Sequence, residues 1–66
     1  MNNFKSNLEV EISELKNKVN DLSVFIEKPN FDDIVKVALQ RKLLVIQLSQ
    51  MNSLLNVLKV RLDTLE

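Results

Sequence analysis

Sixty-six residues hold one domain at most, and this chain has no cysteine, histidine, glycine, tryptophan or tyrosine. That removes disulfide frameworks, thiolate zinc sites, histidine acid–base chemistry and glycine-rich phosphate loops, so an enzyme is not expected and neither cofactor nor metal is called for. The formal net charge of zero argues against general nucleic-acid binding, DNA included, because such binding rests on neutralising many phosphates.

The segment from Met1 to Asn7 lacks the apolar core of a signal peptide. From there, Phe4, Leu8, Ile12, Leu15, Val19, Leu22 and Ile26 recur at steps of four and three, close to the repeat of a coiled-coil seam. This predicts a first helix over about 3–27 with a narrow apolar stripe. Lys28-Pro29-Asn30 is the strongest punctuation in the chain, since proline biases its predecessor away from the helical region and has no amide to donate. A turn at 28–30 follows. Asn30 is expected to cap the next helix, with Asp32 and Asp33 in its first turn, where carboxylates meet the positive end of the dipole.

A second helix is predicted over about 31–65. Ile34, Val37, Arg41, Leu44, Leu48, Met51, Leu55, Leu58, Leu62 and Leu65 alternate steps of three and four, with Arg41 the one polar interruption. A further apolar row, Leu39, Leu43, Ile46, Leu54 and Val57, makes this face wider than one partner helix covers. The longest charge-free stretch, Leu43 to Leu58, contains Gln47, Ser49, Gln50, Asn52, Ser53 and Asn56 and is read as too short and too polar to cross a bilayer. The expected fold is all-α: a two-helix antiparallel coiled-coil hairpin, one domain over 1–66, whose surplus apolar face assembles copies into a homo-oligomeric helical bundle. At about 1.5 Å per residue the second helix would be a rod near 50 Å long.

Charge is uneven. Ile34 to Leu62 carries Lys36, Arg41, Lys42, Lys59 and Arg61 without an acid, whereas Phe4 to Glu27 is net acidic. Ordinary surface ion pairs between the helices are one account; an anion pocket built by repeating the basic residues around a symmetry axis is the other. Arg41 is the leading candidate, because a guanidinium in an apolar seam needs a planar acceptor such as carboxylate or phosphate, unless its stem covers Leu44 and its head reaches water. Arg61 near the far end has the same two readings. Phe4, Phe25 and Phe31 are the only aromatics. Phe25 and Phe31 flank the turn and are expected to close that end of the core. Phe4, among Asn2, Asn3, Lys5 and Asn7, is either a frayed end or a base-binding lip.

The set Phe31, Leu43-Leu44, Gln47, Met51, Leu54, Leu58 and Arg61, preceded by Leu22 and Phe25-Ile26, resembles the pattern of small phage-encoded helical-hairpin proteins. That family includes anti-defence "sponge" proteins that capture cyclic oligonucleotide messengers of bacterial immunity. The resemblance covers roughly residues 20–62. Family members often carry an aromatic where Leu54 stands. It implies a compact homo-oligomer, up to a hexamer, that binds cyclic di- or trinucleotides in the host cytoplasm and silences their effector by sequestration. On that reading phosphates are held by Lys28, Arg41 or Arg61, and bases lie near Phe4, with its neighbour Asn7, or Phe31 of adjoining subunits. The alternative is a structural or adaptor coiled coil that docks on another protein.

Overall fold

The computed structural model describes residues 3–65 and is all-helical: α1 (Asn3–Ile26), α2 (Phe31–Ile34) and α3 (Ala38–Asp63), with no strand among the described residues. Asn2, expected beside Phe4, and the outermost residues of the 1–66 domain lie outside that range. The chain is elongated, 49 × 14 × 14 Å, with α1 lying along α3. Its first and last turns meet: the Arg61 guanidinium carbon is 5.9 Å from the centre of the Phe4 ring. Farther along, Leu15 shares a groove with Leu54 and Leu58, and Val19 and Ser23 share one with Asn52.

The stripe on α1 explains this packing. Leu8 is buried, and Ile12, Leu15, Val19, Leu22 and Ile26 are all partly covered. On α3 the covered positions are Arg41, Leu44, Leu48, Met51, Leu55, Leu58 and Leu62, the expected three–four series, with Leu55 and Leu58 buried. Phe31 completes the buried set. Helix α1 ends at Ile26, where the Glu27 and Lys28 amides donate back to Ser23 and Phe25 at 3.1 and 3.3 Å before Pro29 forces the turn.

Two local expectations are corrected. Asn30 occupies the capping position of α2 but makes no side-chain cap bond; its backbone carbonyl instead accepts from the Asp33 and Ile34 amides at 3.0 Å each. The second helix is also not continuous over 31–65. It breaks at Val35-Lys36-Val37, where Val35 (φ −110°, ψ 90°) and Val37 (φ −82°, ψ 115°) are extended. Valine loses side-chain freedom in a helix and is at home in extended backbone, so two valines around one lysine make this a weak point. The apolar series passes through the break undisturbed, which is why spacing does not reveal it. In place of a 50 Å rod, α3 has 26 residues, about 39 Å.

The second apolar row stays open. Leu39, Leu43, Ile46, Leu54 and Val57 are all exposed, Leu39 at 63%. By length and composition α3 is apolar enough to cross a membrane, contrary to the reading of its charge-free stretch as too short and too polar. Its midpoint nevertheless carries Gln50, Asn52 and Ser53, the last two bonded to the Leu48 and Ser49 carbonyls of the preceding turn.

Candidate functional site

The six residues singled out by sequence form two groups at opposite ends of the chain. Phe4, Asn7 and Arg61 stand where the start of α1 meets the end of α3. Phe4 is 59% exposed, and Arg61 lies over its ring at a cation–π distance. Asn7, three residues along α1, is exposed. Residues three apart lie on neighbouring positions of a helix surface, so Asn7 follows Phe4 by about one turn on the same side of α1. The Thr64 hydroxyl donates to the Arg61 carbonyl at 2.6 Å, tying off the end of α3 next to this pair. An exposed ring, a guanidinium and an amide together can stack a planar group and pair with an anion.

At the other end, Phe25 and Phe31 meet edge to face, 5.6 Å between centres and 83° between planes. The Lys28 ammonium lies 5.8 Å from the Phe25 ring. Phe31 is therefore buried core at the turn, and it also lines the neighbouring groove. That groove, about 440 Å³, is lined by Phe31, Asp32, Arg41, Lys42, Val45 and Ile46.

Arg41 has acceptors within its own chain. One terminal nitrogen, Nη1, donates to the carbonyls of Val35 at 2.8 Å and Lys36 at 3.1 Å, while Nε is 3.5 Å from the Asp32 carboxylate. The helix break orphans those carbonyls and the arginine satisfies them. The planar acceptor expected from its place in the seam is thus supplied mainly by backbone. Asp32 is 81% exposed, so its pairing with Arg41 contributes at most about 1 kcal/mol.

Lys42 and Asp32 were not among the sequence candidates, yet both line the groove at the break. No spacing rule pairs Asp32 with Arg41, nine residues on; the contact exists because the chain turns between them. The groove beside Asn52, about 480 Å³ and lined by Lys16, Asn17, Val19, Asn20 and Ser23, contains none of the six candidates.

Residues 2–64, nearly the whole chain, match the family model named Sequestin. The chain belongs to the Sequestin family. Comparisons with curated proteins and with solved structures gave no match. The Sequestin name is consistent with a sequestering function, and it agrees with the sponge resemblance at that level. For a Sequestin protein, a site divided between the two ends of a slender chain has a direct consequence. The six residues act together only if different copies contribute them.

Proposed function

We propose that this Sequestin protein is a non-enzymatic phage anti-defence protein that binds and sequesters cyclic oligonucleotide immune signals. In this reading α1 and α3 form an antiparallel coiled-coil hairpin. Hairpins assemble in the host cytoplasm into a closed homo-oligomer, up to a hexamer, with cyclic di- or trinucleotides held between subunits. Affinity and copy number then set the effect, and no turnover is needed.

The observation that carries the proposal is the Phe4–Arg61 pair. An exposed aromatic with a guanidinium over it, one helical turn from Asn7, offers in one place a face for a nucleobase and a donor fork for a phosphate. Arg61 is better placed for an anion than Arg41, whose guanidinium would first have to leave the Val35 and Lys36 carbonyls. Lys28 and Phe31 supply a second cation and ring at the turn. Calorimetry of the assembled protein against cyclic di- and trinucleotides is expected to give saturable binding without product formation. Silence across the panel would overturn the proposal.

The exposed row on α3 favours a second reading, a structural or adaptor protein whose apolar face receives a different protein. A stable closed homo-oligomer with no apolar face left open would count against it.

A further inference from the structure

The exposed row of α3 has the same spacing in both directions. It runs from Leu39 through Leu43, Ile46, Gln50, Leu54 and Val57 to Arg61, at steps of four, three, four, four, three and four. With about 100° of turn per residue these side chains occupy one stripe, roughly 80° wide and about 130° around the helix from the face packed on α1. Gln50 stands at its midpoint, with two aliphatic side chains at matched distances on either side and Leu39 and Arg61 at its two ends.

An isologous contact demands this kind of patch, because under a two-fold axis residue i meets j while j meets i. Resting on the reading that the molecule works between subunits, we propose that two copies pair α3 against α3 in antiparallel fashion on a two-fold axis through Gln50. Leu43 then faces the partner's Val57, Ile46 faces the partner's Leu54, and the two Gln50 amides meet on the axis. A lone polar residue in an apolar seam fixes register by hydrogen bonding to its equivalent. A different protein or a lipid surface would have no need of the reversal symmetry, and lipid would be poorly matched to an amide at the centre of the stripe.

Charge favours the same direction. Arg61, the one charged residue of the stripe, meets the partner's Leu39 in an antiparallel pair, whereas a parallel pair in register would set the two Arg61 guanidinium groups against each other. Antiparallel pairing also carries the Phe4–Arg61 end of one copy to the Val35–Arg41 break of the other. The two groups that a single chain keeps at opposite ends meet at both ends of the pair.

The chain has no cysteine, so Q50C, L43C and V57C can each be introduced alone in the full-length protein and treated at low micromolar concentration with a short bis-maleimide linker. All three positions are exposed on the single chain, and circular dichroism checks that each variant remains helical. Q50C is expected to cross-link to itself. L43C and V57C are expected to stay single alone and to join when mixed, because two copies of residue 43 lie about 21 Å apart along the antiparallel pair. Self-linking of L43C, absence of the mixed product, or a single-chain protein that floats with phosphatidylglycerol vesicles would each overturn the pairing. Cross-linking is read without nucleotide. A failed calorimetric panel therefore leaves the pairing intact, and a failed cross-link with intact binding removes the pairing alone.

Discussion

Arg41 and Val35 are six residues apart and joined by a 2.8 Å hydrogen bond from guanidinium to carbonyl, which holds the chain open between α2 and α3. The bond reverses the usual account of a charged residue in an apolar seam: its acceptor is the backbone defect next to it.

Replacing Arg41 with alanine is expected to destabilise the fold by about 1–2 kcal/mol, because two carbonyls lose a charged donor that is itself partly exposed. Arg41→Lys recovers only part of this, since an ammonium lacks the planar fork. Asp32→Asn shifts stability by less than about 1 kcal/mol. Urea unfolding of the three variants at equal protein concentration gives the order.

The break depends on two β-branched residues. Val35→Ala with Val37→Ala, in an Arg41→Leu background, removes both the extended preference and the staple. The expected result is fusion of α2 with α3, adding about one turn of helix, read as a stronger 222 nm signal. An unchanged signal would mean that the turn at Pro29, and not the valines, sets the break.

The core of a single chain is small, so its few buried side chains are costly to truncate. Leu8→Ala is expected to cost about 2–5 kcal/mol, enough to leave much of the protein unfolded. Exposed Val24 on α1, lying off the stripe, tolerates alanine within about 0.5 kcal/mol. Thermal melts of both variants test the difference.

For the terminal pair, Arg61→Gln is expected to weaken cyclic-nucleotide binding by about 10- to 100-fold through loss of a charged hydrogen bond to phosphate. Phe4→Leu keeps the apolar bulk but loses the stacking face, for about 1–3 kcal/mol per base. Both variants should keep their helicity. Calorimetry at two salt concentrations adds a check, because only the arginine variant flattens the salt dependence.

The periodicity of Leu8 to Ile26 on α1 and of Leu44 to Leu62 on α3 depends on residues three and four apart, so the sequence alone determined the helices and their inward faces. Pro29 likewise placed the turn. The break at 35–37 was hidden because Ile34, Val37 and Arg41 keep the seam spacing whether or not the backbone stays helical between them. Tertiary structure alone decided which candidates meet. Phe4 and Arg61 are 57 residues apart in the chain and touch only because α1 packs along α3 in one register. Arg41 was legible as a residue in need of an acceptor, but not which acceptor, since the carbonyls it binds become available only after the helix opens. Spacing along a helix is local and survives in the sequence, whereas a contact between elements depends on the packing energy of the whole chain.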